Sequence, residues 1–480
     1  MSNILIYIFR RDLRIIDNLG WIQALNNEDY IDKILPIFIF TPEQININKN
    51  NFFSHNSVQF MCESLNSLNN DIKKLTNNLS HLHFFKGSNI SVLKTLKSYF
   101  ENNGDKIKYI CFNQDYTPYA KSRDKEIYDF CYKNNINCNI TEDYLLSPIG
   151  TFLLNNDNAY KVYTPFKNKV YKELNNILKP DLKHIKDNNK LFKINKNIGN
   201  QIENISIFYE KNDNINIKGG RLNGLKLLNK INLSQINEYE NKRNDLSYET
   251  TKLSAYIKYG NLSIREIFWK CYNLKKQNTI CDQLIWREFY FYIVYYYPKV
   301  LSKRRENFQE KYNKIKWNKN INLFNKWKNA QTGYPIVDAC MTELNTIGYM
   351  HNRGRLISSN FLNRMYGMDW RQGEEYFANK LIDYDPSVNN GNWQWIASTG
   401  VDPKPYFQRL FNPWLQSEKY DSQCKYIKKW LPNLKNIPNQ HLHKWDQYYQ
   451  QYDLKEIKYY KPSIDYSDAR QKSILQYKLN

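Results

Sequence analysis

A chain of 480 residues is long enough for two domains, each with its own apolar core. The formal charge of +22 favours a polyanionic partner, nucleic acid before an acidic membrane, although an AT-rich genome produces the same excess of Lys, Asn and Ile without that meaning. Eight scattered cysteines (62, 111, 131, 138, 271, 281, 340, 424) form no C-x-x-C pair or Cys/His cluster, and no run approaches about 20 apolar residues, so a metal scaffold, a membrane span and a secreted protein are all excluded in favour of a soluble intracellular one.

The first 140 residues alternate β-rich runs (Ile4 to Phe9, Ile34 to Phe40, Leu82 to Phe85, Ile107 to Phe112) with polar segments of helical period such as Ser57 to Leu75. That rhythm predicts a Rossmann-like parallel sheet under covering helices, an α/β domain over 1–145. The loop after the first run carries Arg10, Arg11, Asp12 and Arg14 in place of a glycine-rich pattern, so a plain nucleotide-phosphate cradle is not expected there. A linker is expected over 146–218, because 176–218 is Asn/Lys-rich with weak periodicity and reads as a surface connection. From 219 to 480 the pattern is helical, an all-α domain, and eight of the eleven tryptophans fall between 268 and 414. Tryptophan-rich helices are ordinarily core, so their neighbours decide the reading.

Three stretches carry chemistry. In LIDYDPSVNNGNWQWIASTGVDPKPYFQRLFNP (Leu381 to Pro413), Asp385 before Pro386 has the form of a helix N-cap with proline at the first helical position. That places Asp383 and Asp385 at a positive helix end, and capping alone accounts for them equally well. Trp393 and Trp395 lie two residues apart, about 200° around a helix, so they face different neighbours. The second stretch, Gln283 to Tyr290, flanks Trp286 with polar groups on an apolar helix, which taken alone is more often a salt-bridged helix than a site. The third, Tyr349 to Arg355, joins Asn352 to Arg353 and Arg355, a set suited to phosphates or base edges.

Taken in order, RRDLRxxDN (Arg10 to Asn18), TTKLSAYIKYGNLS (Thr250 to Ser263), QLIWREFY (Gln283 to Tyr290), TGYPIVDA (Thr332 to Ala339), MHNR (Met350 to Arg353), DWRQGE (Asp369 to Glu374) and NNGNWQW (Asn389 to Trp395) resemble the class I cyclobutane pyrimidine dimer photolyases of the photolyase/cryptochrome family over nearly the whole chain. The resemblance implies a helical FAD-binding domain holding one FAD per chain, with contacts from Tyr239, Thr250, Thr251, Lys252, Leu253, Ser254, Arg287, Asp383, Asp385 and Asn389. Asn389 matches the residue beside flavin N5, where a neutral amide adds no charge against a reduced flavin and favours repair over signalling. Trp393, Trp370 and Trp317 match the family's electron-transfer chain from flavin to surface. Trp286 and Trp395 match the pair that packs against a flipped-out dimer. Asn352 and Arg353 match contacts to the lesion and its backbone, and Gln283, Arg287, Tyr290, Gln416 and Lys419 complete the implied contacts to UV-damaged DNA. The implied activity is light-driven repair of cyclobutane pyrimidine dimers by electron transfer from excited reduced FAD, in a monomer with no obligate protein partner.

One departure bears on the lesion. Gln283 stands where these enzymes usually have Glu, and an amide donates a hydrogen bond but supplies no proton. Gln is common there in (6-4) photolyases and animal cryptochromes, but the (6-4) histidine pair is represented here by Asn352 and Leu356. A photoreceptor cryptochrome is the rival class, and no regulatory tail is expected after Tyr466 to Arg470. A second, antenna pigment, folate or deazaflavin, is expected around Asn113 to Tyr116 with its identity open, and Arg10, Arg11 and Arg14 serve either that site or, the preferred reading, the domain interface.

Overall fold

The protein was analysed as a computed structural model that describes residues 1–27, 30–183, 189–194, 198–402 and 405–478. Its sheet comprises β1 (Asn3–Phe9), β2 (Lys33–Phe40), β3 (His83–Lys86), β4 (Lys106–Asn113), β5 (Asn137–Thr141) and β6 (Gln201–Ile202). The order is β5-β4-β1-β2-β3-β6, parallel throughout except for β6, which runs antiparallel to β3. β1 is buried at every position after Asn3, which is why it reads as an unbroken apolar run rather than an alternating one. The helix predicted from Ser57 begins at His55, because Ser54 accepts from the Ser57 amide at 3.3 Å and caps it.

The chain leaves β1 toward β2 on one side and returns through β4 on the other, so the crevice between β1 and β4 is the topological switch point where α/β sheets place their working loops. Here those loops carry Arg10 to Arg14 and Gln114 to Tyr116, and both face the helical region. Leu13 donates its amide to the Tyr259 carbonyl at 3.0 Å, and Arg14 Nη1 donates to Gly260 O at 3.2 Å. Arg14 and Arg265, one from each side, share Asp143 at 2.6 and 2.7 Å. The interface role expected for the loop arginines is observed for Arg14 and for Arg11, which reaches Lys258 and Asp385, whereas Arg10 pairs with Asp124 inside the sheet domain.

The stretch 146–218 differs from expectation. It is more than a surface connection: β6 extends the sheet, Leu191 bridges Ile34, and the helix Tyr163–Lys172 lies against the helix Thr279–Tyr296. Tyr163, Phe166 and Val170 form a buried stripe at helical spacing, diluted in the sequence by intervening Lys and Asn.

Beyond Gly219 the described residues are helices and connections, with one isolated bridge, Asn318 to Met368. Two close helix approaches depend on glycine. A Cβ at Gly391 would overlap the Tyr290 ring and one at Gly373 would overlap Trp393, so the helix Pro386–Ile396 can lie against both Thr279–Tyr296 and Trp370–Lys380. No described helix is long and apolar enough to cross a membrane, and the described residues contain no cluster of metal-ligating side chains.

Candidate active site

The implied cofactor residues fall on the helices Leu233–Lys242, Thr279–Tyr296 and Pro386–Ile396, on the turn Thr250 to Ser254 and on the segment just ahead of Pro386. A cavity of about 560 Å³ is lined by Tyr239, Thr250, Thr251 and Lys252 together with Lys226, Lys230 and Tyr248. Lys252 sits in the left-handed region (φ 52°), a strained turn for a side chain that pairs with Glu249 at 3.1 Å. Leu253 is buried, and the next residue, Ser254, donates to Asp383 Oδ2 at 2.6 Å.

Asp383 and Asp385 have different surroundings. Arg355 Nη2 joins Ser254 on Asp383 Oδ2 at 2.9 Å, leaving the buried Asp383 Oδ1 with no partner. Asp385 caps its helix as the Asp-Pro pair predicts, accepting from the Ser387 amide at 3.0 Å with Oδ1, while Oδ2 takes Arg11 from the sheet side and the Tyr144 hydroxyl at 3.3 Å. Burial alone raises an acid's pKa, but Arg11, Lys258 and Arg287 overrule it and hold Asp385 below the ordinary carboxylate value. The Tyr144 ring lies between two guanidinium groups, Arg11 at 4.2 Å and Arg287 at 4.5 Å. Arg287 spends Nη1 on the Tyr144 carbonyl at 3.2 Å, and its buried Nη2 has no partner.

An unpaired carboxylate oxygen and an unpaired guanidinium nitrogen, both buried, are what a polar cofactor carrying donors and acceptors satisfies. The residues present fit the flavin nucleotide that the sequence motifs imply.

Asn389 is half-buried and donates to the Glu374 carbonyl at 3.2 Å. Below it, Glu374 is fully buried between Arg305 and Asn390, each at 3.1 Å, and burial lifts it to about 7 despite Arg305. Of the three chain tryptophans, Trp393 and Trp370 are buried and Trp317 is half-buried against Tyr477. Trp370 donates its indole N–H to Asn307 at 2.8 Å.

The residues expected at the lesion line the outer side. Gln283, Trp286, Arg353 and Trp395 are half-buried, Asn352 is exposed and Tyr290 is buried beneath Trp286. Each of the two indoles has one face covered, Trp286 by Tyr163 at 3.6 Å and Trp395 by the Arg409 guanidinium at 4.1 Å. On the helix Pro413–Tyr420, Lys419 is exposed and Gln416 keeps Oε1 buried without a partner. His351, next to Asn352, caps the helix Asn352–Asn360 by accepting from the Arg353 amide at 3.1 Å, and burial with Arg353 and Arg355 lowers its pKa to about 4. It is neutral at physiological pH.

Arg355, Arg11, Tyr163 and Arg409 contact the expected site residues Asp383, Asp385, Trp286 and Trp395, and sequence reasoning gave none of the four that contact. Arg355 lay inside a quoted motif and Arg11 inside another, whereas Tyr163 and Arg409 carried no local signal. In the Asn113 to Tyr116 loop, Asn113 donates to Asp12 and Asn18 at 2.7 Å each and Asp115 holds Arg11 at 3.0 Å, so both polar side chains tie the loop after β4 to the loop after β1 within the sheet domain.

Two family models match the chain: DNA photolyase over residues 5–185, and the FAD binding domain of DNA photolyase over residues 280–479. The chain is 33% identical to a deoxyribodipyrimidine photo-lyase of Buchnera aphidicola from Acyrthosiphon pisum, covering 98% of this chain and 96% of that one. It is 30% identical to the Escherichia coli K12 protein of the same name, with 98% and 97% covered. Among solved structures, an archaeal photolyase from Sulfolobus tokodaii with two FAD molecules superposes with a TM-score of 0.83 at 34% identity, over 99% of this chain and all of that one. A Synechocystis cryptochrome superposes equally well, at 0.83, but at 23% identity that likeness concerns the fold alone.

Proposed function

Because the chain belongs to the DNA photolyase family, we infer that it uses FAD and light to repair cyclobutane pyrimidine dimers in DNA, and we assign the roles of its own residues on that premise. Tyr239, the segment Thr250 to Ser254, Arg287, Asp383, Asp385 and Asn389 would hold FAD. Asp383 Oδ1 and Arg287 Nη2 supply the acceptor and the donor that have no partner within the chain. When bound and reduced, FAD would supply the light-driven electron-transfer chemistry.

The remaining work is positioning. Trp286 and Trp395 offer one free indole face each to bases taken out of the stack, and the observation that carries the lesion reading is that both are half-buried with their other faces occupied. Gln283 and Asn352 hydrogen-bond the lesion, while Arg353, Gln416 and Lys419 meet the DNA backbone and fix its register. Trp317 takes the surface end of a path that begins at Trp393.

The dimer is favoured over the (6-4) product on proton supply. Asn352 and Leu356 carry no titratable group, and the neighbouring His351 is neutral and fixed at a helix cap, so no side chain here acts as the acid that (6-4) repair requires. The test is to purify the protein in the dark, reduce its flavin and illuminate oligonucleotides carrying either lesion with blue light. Restoration of the thymine dimer alone is expected. Restoration of the (6-4) product refutes the acid argument, and repair of neither by a protein whose flavin still photoreduces points to a photoreceptor.

A further inference from the structure

The helix Tyr163–Lys172 comes from the segment that joins the two domains, yet it grips one short stretch of the helix Thr279–Tyr296. Tyr163 lies on Trp286 with ring centroids 3.6 Å apart and planes 10° from parallel. Its hydroxyl donates to the Asp282 carbonyl at 2.8 Å, Tyr171 donates to Asp282 Oδ1 at 2.9 Å, and Lys167 reaches Asp282 Oδ2 at 3.4 Å. Phe289 packs edge-on against the same tyrosine at 6.0 Å. Tyr163 is 7% exposed and Trp286 is half-buried, so the tyrosine is a fixed wall and the indole is the surface that faces outward.

We propose that Tyr163 is a positioning residue for the repair reaction: it sets the plane of Trp286 by stacking on its inner face, and the Asp282 anchor holds Gln283 in place from the same helix. This rests on the reading of Trp286 as a lesion contact. A free indole on a helix turns about two side-chain torsions, and each rotamer presents a different plane to an incoming base. Stacking against a ring that is itself buried and hydrogen-bonded leaves one of those planes, so the ordering cost falls on folding and not on binding. Trp395 is held in the same manner by Arg409, whose guanidinium covers one face while Nη1 donates to the Trp395 carbonyl at 2.5 Å.

The experiment is a double-mutant cycle on the flavin-loaded protein, read as dark binding of a thymine-dimer oligonucleotide and, separately, as repair per absorbed photon at saturating DNA. Tyr163→Leu is expected to weaken dark binding roughly three- to tenfold, the range of one aromatic pair, while flavin content and photoreduction stay at wild-type level. Tyr163→Phe keeps the ring and is expected to bind within about twofold of wild type. In a Trp286→Leu background the Tyr163→Leu change is expected to add nothing, because the ring it orients is gone. If Tyr163→Leu does not fold with its flavin, Tyr163→Met replaces it in the cycle. Unchanged binding in Tyr163→Leu alongside weakened binding in Trp286→Leu overturns the proposal, as does an equal loss from Tyr163→Leu in both backgrounds, which marks a merely structural role. Unchanged binding in Trp286→Leu itself removes the reading of Trp286 on which the proposal stands.

Discussion

Asp143 is 3% exposed and joins the two halves of the molecule: Arg14 from the sheet loop at 2.6 Å, Arg265 from the helical region at 2.7 Å and the Leu19 amide at 3.0 Å all donate to it. Asp143→Asn keeps the shape, removes the charge and turns one acceptor into a donor that faces a guanidinium. Two buried cations then share only Asp17 and backbone carbonyls. Breaking a buried pair from one side costs about 3–5 kcal/mol, because the remaining charges stay desolvated. A urea titration followed by tryptophan fluorescence at neutral pH should show the midpoint fall by an amount equivalent to that cost. Burial raises Asp143, and Arg14 and Arg265 reverse this, so its folded pKa lies below the ordinary 3.8. A depressed acid contributes stability above its unfolded pKa and loses it as pH falls through the folded value, so the wild-type advantage should hold from neutral pH to about pH 5 and shrink below about pH 4. Matching midpoints at neutral pH, or an advantage that grows on acidification, would refute the charge-clamp account.

Trp317→Phe should abolish light-driven reduction of oxidised flavin in the presence of an external thiol and leave repair intact once the flavin is reduced chemically; loss of both would show that Trp317 supports the site rather than the electron path. Gln283→Glu should raise dimer repair per absorbed photon without tightening dark binding, and an unchanged yield would show that proton supply at this position is immaterial. Glu374 is lifted from 4.5 to about 7 mainly by burial, so the folded state holds a proton that the unfolded chain has lost. Its contribution to stability therefore declines as pH rises from about 4.5 to about 7, by about 3 kcal/mol over that span, and Glu374→Gln should flatten the decline in melting temperature measured across it.

The sheet was legible because β1, β2 and β4 are buried on both faces and read as apolar runs bounded by polar turns. β5 was not, since Asn137–Thr141 is an edge strand of mostly half-exposed polar residues, and β6 is two residues long. The Asp385 cap was legible because its signal is local, an Asp-Pro pair ahead of a helical pattern. The partners of that cap were not: Arg11 lies 374 residues away, and such a contact has no expression in periodicity or spacing. The same holds for Tyr163, whose stripe at 163, 166 and 170 is short and interrupted by lysines, so a composition reading takes it for linker. The Arg353 and Arg355 pair was read as one basic unit, but the fold separates them. Arg353 reaches outward to Asn244 at 2.7 Å and Arg355 turns inward to Asp383.

The Arg11 contact to Asp385 sets an order of events during synthesis. Chains grow from the N-terminus at about 5–20 residues per second, so the sheet, which ends with β6 at Ile202, is made roughly 180 residues before Asp385 is added, an interval of about 9–37 s. Through that interval the nascent sheet exposes Arg11 and the Tyr144 ring without the carboxylate that later joins them. Asp385, in turn, is made late and arrives at a guanidinium already held by Asp115. Docking of the two halves through this pair thus waits until the chain has been made past Asp385.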